Sequence, residues 1–195
     1  MIVIGITGTL GAGKGTVVEY LVQKYGFSHY SVRKYLTKEL SKFGKVPNRD
    51  NFTELANQLR EVHQSPSFLI EELYREAIGE GRPAIIESIR TVGEIDKLKS
   101  LGPFYLLAVD GDRAVRYQRI IGRRSETDFI SFEEFVEDED REMHAIDPNK
   151  QNLHACMSRA DFQILNNTTK EDLRDKVDHF MSQITSNTDT KYELS

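Results

Sequence analysis

Apolar positions along the chain follow two periods. Short β-rich runs at Ile2–Thr7, Phe27–Tyr30, Pro83–Ser88, Phe104–Val109 and Phe162–Asn167 alternate with longer stretches in which apolar residues recur three and four apart. The first helix is expected inside the glycine loop after Thr7. It runs through Val17, Leu21 and Tyr25 at spacing four, and Gly26 stops it. Helices are predicted for VRKYLTKEL, for NFTELANQLREVH after the Gly44 to Pro47 break, and for SFLIEELYREAIGEG beyond Pro66, where Phe68, Leu69, Leu73 and Ala77 share a face. Further helices follow in TVGEIDKLKSL, DRAVRYQRIIG, SFEEFVEDEDREM and TTKEDLRDKVDHFMSQI. Thr168 with Glu171 has the spacing of a capping box for the last one. Strands alternating with helices predict an α/β domain built on a parallel sheet of about five strands.

Composition narrows this to one domain over residues 1–184. The chain has 195 residues, 38% of them hydrophobic, which is enough for one real core and too short for two comfortable ones. No repeat or Pro/Gly/Ser-rich linker divides it, and the polar tail from Thr185 is expected to be flexible. Acidic residues outnumber basic ones, 31 to 26, so a general nucleic-acid or anionic-membrane surface is not expected and any bound anion must be met locally. The lone Cys156 has no internal disulfide partner, no apolar leader precedes Ile2, and no run approaches membrane-spanning length. The expectation is a cytoplasmic monomer or homodimer with neither a membrane nor a nucleic-acid partner. The five histidines, at 29, 63, 144, 154 and 179, never fall at ligand spacing with one another or with Cys156, so no transition-metal site is expected.

The candidate chemistry begins in GITGTLGAGKGTVVEYL. Gly8 to Lys14 fits the first seven positions of the phosphate-cradling pattern GxxxxGKS/T, but Gly15 stands where the hydroxyl should follow, and Thr16 comes one place late. The loop joins a strand to a helix N-terminus, as a phosphate cradle must. Glycines at 8, 11, 13 and 15, with Ala12, allow successive N–H groups to turn inward, and Lys14 would bridge β- and γ-phosphates. Mg²⁺ should accompany ATP there, with Thr16 as a candidate ligand.

A loop ending Gly13-Lys14-Gly15-Thr16 resembles those of the P-loop nucleoside and deoxynucleoside monophosphate kinases, adenylate kinase among them. The resemblance implies a three-layer fold with a helical acceptor-binding insertion, here at about 31–81, and a short lid at about 122–131. The third strand ends in Glu87, followed by Arg90 and Thr91, where the family carries an acidic residue and an arginine for the acceptor phosphate. Glu87-Ser88-Ile89-Arg90 is one residue tighter than the usual form and closer to that of dephospho-CoA-kinase-like proteins. Ala160-Asp161 running to Asn166 likewise resembles dephospho-CoA kinases. Glu87 is thereby a candidate for substrate and Mg²⁺, and Asn166 and Asn167 stand where the resemblance places adenine. An ordinary asparagine turn explains that pair equally well.

The acceptor remains the open choice. A hydroxyl acceptor usually needs a carboxylate base, whereas an anionic phosphate acceptor needs cations that hold two polyanions in line. After the second strand, where dephospho-CoA kinases carry Asp-x-Asp, the chain has Arg33 and Lys34. Arg33, Arg49, Arg60 and Arg90 are candidates to grip a nucleotide or nucleotide-like acceptor; Arg60 could equally be a solvated helix residue. Asp50 and Glu87 could serve a hydroxyl kinase as base, and a non-catalytic nucleotide-binding regulator is a third reading. Arg119, Arg123 and Arg124 occupy the place of the lid arginines that close over the transferred group. They could instead be neutralised by Glu133, Glu134, Asp138 and Glu139, within an acidic run expected to be the solvated face of a helix without chemistry.

Overall fold

The computed structural model describes residues 1–122, 131–143 and 152–192, with the side chains of all of these except 49, 50, 53, 141 and 187–192. Its centre is a five-stranded sheet. The strands are β1 (Val3–Gly8), β2 (Ser28–Ser31), β3 (Ala84–Glu87), β4 (Phe104–Asp110) and β5 (Phe162–Leu165), in the order β2-β3-β1-β4-β5. Every pairing is parallel. The strand carrying the glycine loop therefore lies at the middle, and its C-terminal end opens between those of β3 and β4. That is where ligands bind in open parallel sheets.

Alternation along the strands assigns the two faces. Ile4 and Ile6 point to one side, where they pack with Val17 and Leu21 of α1 (Lys14–Tyr25) and with Leu173, Val177 and Phe180 of α9 (Lys170–Tyr192). Val3, Ile86 and Leu106 face the other side, against Ile70, Leu73 and Ala77 of α4 (Phe68–Glu80) and Ile95 and Leu98 of α5 (Val92–Leu101). Burying each of these large side chains contributes about 1.5–3 kcal/mol, so the two layers hold the sheet from both sides. Between β2 and β3, α2 (Val32–Lys42) and α3 (Arg49–Val62) join α4 around Leu36, Ala56, Phe68 and Leu69. No helix among the described residues is long and apolar enough to cross a membrane.

Several boundaries differ from the sequence expectation for local reasons. Phe27 lies in the α1-side core, and pairing of β2 starts at Ser28. The last strand stops at Leu165, leaving Asn166 and Asn167 beyond it. The last helix is capped one residue later than expected, since the Asp172 N–H donates to Thr169 Oγ1 at 3.2 Å, and it continues to Tyr192, past Thr185. The capping box that does form is Thr91 with Glu94, at the start of α5. Within the described segments, α6 (Arg113–Gly122), α7 (Phe132–Met143) and the short α8 (Leu153–Ser158) lie between β4 and β5. α8, capped by Asn152, was not foreseen because six residues are too few for a periodic signal.

Gly5 marks where the sheet has no spare room. A Cβ there would lie 2.4 Å from both Ile89 Cδ1 and the Phe104 ring. Gly5→Ala should overpack this contact and cost about 1–3 kcal/mol, lowering the thermal midpoint by several degrees. An unchanged melting curve would contradict the packing described.

Candidate active site

The glycine loop runs from the end of β1 into α1, and left-handed backbone at Gly11 (φ 79°) and Gly13 (φ 99°) lets it curl. Gly13 approaches Asn166 so closely that a Cβ would fall 2.5 Å from its amide nitrogen. Gly15 is different. Nothing lies within 4 Å of a Cβ placed there, so a larger residue would meet no steric bar at the position where the loop pattern expects a hydroxyl.

Lys14 folds back over the loop and donates to the carbonyls of Gly8 at 2.8 Å and Thr9 at 2.6 Å. Burial, reinforced by the nearby positive charge of Arg90, lowers its pKa to about 8, with Glu142 and Glu87 opposing the shift. At neutral pH the side chain remains mostly protonated, and a polyanion beside it would raise its pKa again.

One cavity is lined by this loop, and a second by the turn after β3 and the helices α2 and α3. The smaller, about 360 Å³, is walled by Gly11, Gly13, Thr16, Arg119, Asn166 and Leu173. Asn166, not Asn167, forms its wall. The Asn166 amide donates to the Ala12 carbonyl at 2.8 Å, whereas Asn167 Oδ1 accepts the Asp112 N–H. Arg119 donates to the backbone carbonyls of Asn166 and Thr168, at 2.8 and 3.3 Å. It therefore lines the smaller cavity. Arg123 and Arg124, and with them the lid, lie outside the described residues.

The larger cavity, about 870 Å³, contains Arg33, Arg60, Arg90, Phe52 and Glu94. Arg33 stacks over the Phe52 ring at 5.6 Å, and Arg60 Nε donates to the Pro66 carbonyl at 3.2 Å. Arg90 follows a sharp turn in which Ser88 adopts a left-handed conformation (φ 69°), rare for a residue with a side chain. The turn is pinned on three sides: the Ile89 N–H to Ile6 O, the Thr7 hydroxyl to Ile89 O, and the Asn152 N–H to Arg90 O. Glu94 adds a fourth tie, accepting the N–H groups of Arg90 and Thr91 at 2.9 and 3.1 Å, while its burial pushes its pKa up. Arg90 also meets Glu142 at 3.4 Å. The side chains of Arg49 and Asp50 lie outside the described set; the backbone of Arg49 opens α3.

Glu87 ends β3 beside the loop. His29 Nε2 lies 3.2 Å from its carboxylate, and bonding to His29 holds its pKa below the usual range despite partial burial. It stays ionised at neutral pH, which suits electrostatic or metal duty, and its lowered pKa makes it a weak proton acceptor. Thr16 and Glu87 supply hard oxygen donors, and no group of three or more His, Cys, Asp or Glu among the described residues could form a protein cage for a metal. That donor set suits Mg²⁺, which keeps several waters and takes few protein ligands beside phosphates.

The acidic run in α7 is the exposed face expected of it at Glu133, Glu134, Glu137, Asp138 and Asp140, and Glu139 is the exception. Glu139 is buried and pairs at 2.6 Å with Arg116, itself buried on α6. Arg113 bonds Glu139 at 2.6 Å and also Asp140. The α6–α7 ion pairs thus exist, but they use Arg113 and Arg116, whereas Arg119 turns to Asn166. Arg116 and Asp110, whose carboxylate accepts the Thr9 hydroxyl at 2.5 Å, are the site-adjacent residues that sequence reasoning missed.

The depressed Lys14 pKa sets the pH dependence of ATP binding. Below pH 8 the lysine is charged both free and bound. Above it, the free lysine is neutral and binding must take up a proton. Affinity should therefore fall as pH rises beyond 8, approaching about tenfold per unit, and Lys14→Arg should flatten the slope because a guanidinium stays charged. Calorimetric titrations in buffers of different ionisation heat check this directly; equal affinity at pH 7 and pH 9.5 with no proton uptake would contradict it.

The profile of the AAA_18 family, described as an AAA domain, matches residues 4–147. A UPF0200 protein of Pyrobaculum aerophilum is 30% identical over 85% of this chain and 88% of its own length, and one from Methanocaldococcus jannaschii is 28% identical over 96% and 92%. Among solved structures, a gluconokinase from Sinorhizobium meliloti superposes with TM-score 0.60 at 12% identity, covering 96% of this chain and 95% of that one. A shikimate kinase from Acinetobacter baumannii gives 0.59 at 16% identity, covering 95% and 93%. A dephospho-CoA kinase from Campylobacter jejuni gives 0.54 at 16%, covering 93% and 96%. Likeness at these identities shows a shared fold, that of P-loop small-molecule kinases. With more than half its length matched by the family profile, the chain belongs to the AAA_18 family of AAA domains and to the UPF0200 group.

Proposed function

We propose that the protein transfers the γ-phosphoryl group of ATP to a nucleoside or deoxynucleoside monophosphate. The observation that carries this reading is the convergence of Arg33, Arg60 and Arg90 on one cavity at the turn after β3, with Arg90 near enough to Lys14 to lower its pKa. Two polyanions brought end to end repel each other, and cations on both sides offset that repulsion. The aromatic face of Phe52 and the apolar sides of Val32 and Leu36 give the same cavity a wall for a flat ring. The α2–α4 helices then act as the acceptor-binding insertion.

A hydroxyl acceptor would call for a base of raised pKa facing the cavity with its oxygens free. Glu87 is held ionised by His29, and Glu94 spends one oxygen capping α5. Glu94 lines the cavity with a raised pKa but already accepts the N–H groups of Arg90 and Thr91, so it is the cationic lining that favours a phosphate acceptor. Loop amides and Lys14 hold the donor phosphates, Arg119 and Asn166 wall the donor base, and Arg90 with Arg33 and Arg60 orients the acceptor. Thr16 and Glu87 would hold Mg²⁺, whose charge offsets that of the phosphates when bound.

Lys14→Ala should lower turnover by about a hundredfold or more with an unchanged far-UV spectrum. A panel in which ATP is offered with ribo- and deoxynucleoside monophosphates, dephospho-CoA, shikimate and gluconate should release ADP only with a monophosphate. ADP formed with a hydroxyl acceptor instead would replace this reading, and ATP binding without ADP from any acceptor would mark a regulator. With the acceptor found, Arg90→Ala should raise its KM about tenfold or more while the KM for ATP moves little.

A further inference from the structure

We propose that Arg116, held by Glu139, is a positioning residue that sets the Leu10–Gly11 peptide of the glycine loop in its phosphate-binding orientation. The proposal rests on the loop being the donor cradle. Arg116 is 3% exposed and sends its guanidinium to three segments at once: Nε to the Gly111 carbonyl at 2.6 Å, Nη1 to the Leu10 carbonyl at 3.1 Å, and Nη1 to Glu139 at 2.6 Å. Its guanidinium carbon also lies 5.5 Å from the Phe135 ring centroid, and Asp110 is 3.5 Å from its Nε.

The geometry of a trans peptide converts that anchor into function. Carbonyl and N–H of one peptide unit point in opposite directions. A Leu10 carbonyl bonded to Arg116 therefore turns the Gly11 N–H away from α6, and Gly11 lines the smaller cavity. Gly11 is also pressed against this helix, where a Cβ would meet the Arg116 carbonyl at 2.7 Å. The peptide is gripped at its oxygen and hemmed at its Cα, so it has little freedom to flip.

Stability alone does not explain the pair. A buried ion pair of this kind is often matched or exceeded in stability by apolar residues of similar volume, so its presence is better accounted for by the geometry it imposes. A guanidinium donates to the Gly111 and Leu10 carbonyls from two different nitrogens while lying against Glu139, an arrangement a single lysine ammonium at this depth could not reproduce.

Two variants test the idea by calorimetric titration with inorganic tripolyphosphate at constant pH. Arg116→Met/Glu139→Leu should fold with a cooperative melt, because the buried charges leave together, yet bind tripolyphosphate about tenfold or more weakly, the range typical of lost supporting contacts. Glu139→Gln, which keeps the shape, should weaken tripolyphosphate binding in the same direction while leaving the affinity for a monophosphate acceptor within about twofold. A purely structural role predicts the reverse: a lowered melting midpoint with affinity intact, or both affinities falling together. Either result overturns the proposal, and if the double variant does not fold, Glu139→Gln alone decides. Wild-type protein that binds no tripolyphosphate would overturn the cradle reading as well, whereas binding that neither variant weakens removes only the role given to Arg116.

Discussion

A phosphate cradle made of backbone has a cost on its outer side. Turning successive N–H groups inward sends carbonyls outward, and each buried carbonyl must find a donor. Here the donors can be named. Lys14 takes Gly8 and Thr9, Arg116 takes Leu10, and the Asn166 amide takes Ala12. Three side chains from α1, α6 and the end of β5 thus satisfy the outside of one loop, and the arrangement of those elements around it follows from that need.

The sheet order makes this accounting possible. With β1 between β3 and β4, the loop has Glu87 and the Arg90 turn on one flank and Asp110, α6 and the end of β5 on the other. Cations from both flanks crowd one small volume, since Arg90 and Arg116 both lower the Lys14 pKa. Glu139 and Glu142 of α7 temper that crowding, the first buried against Arg116 and the second beside Arg90. The acidic helix supplies the internal counter-charge of this cationic cluster, with Glu142 3.4 Å from the Arg90 guanidinium.

Strands, most helices and the loop were legible because each follows from local rules: period two against period 3.6, a glycine at a helix end, and glycines where left-handed backbone is required. What escaped was long-range. Asn166 and Asn167 are adjacent and chemically identical, and only the stop of β5 at Leu165 decides which one reaches Ala12. Arg119 was placed among the lid arginines because its segment stands where the resemblance to nucleotide kinases puts their lid. It turns instead to backbone carbonyls 47 and 49 residues further on, and nothing in the local pattern encodes such a contact. Thr91 with Glu94 has the same capping spacing as Thr168 with Glu171, and the box forms only at the former because the last helix is capped by Thr169.

The acidic helix is the instructive case, because its phase held the missing signal. Phe132, Phe135, Glu139 and Glu142 fall at steps of three and four, so they share the inward stripe of α7, and Phe135 and Glu139 are both buried. Read as a block of charge, the run looks solvated; read by phase, it places one carboxylate at a core position. A carboxylate there is costly unless a cation comes with it. On α6, Arg113 and Arg116 lie three apart, one helical face offering two guanidiniums, and both reach Glu139. In an acidic chain the informative charge is the one that falls in phase with the apolar residues, because burial obliges it to have a partner, and here that partner leads straight to the phosphate loop.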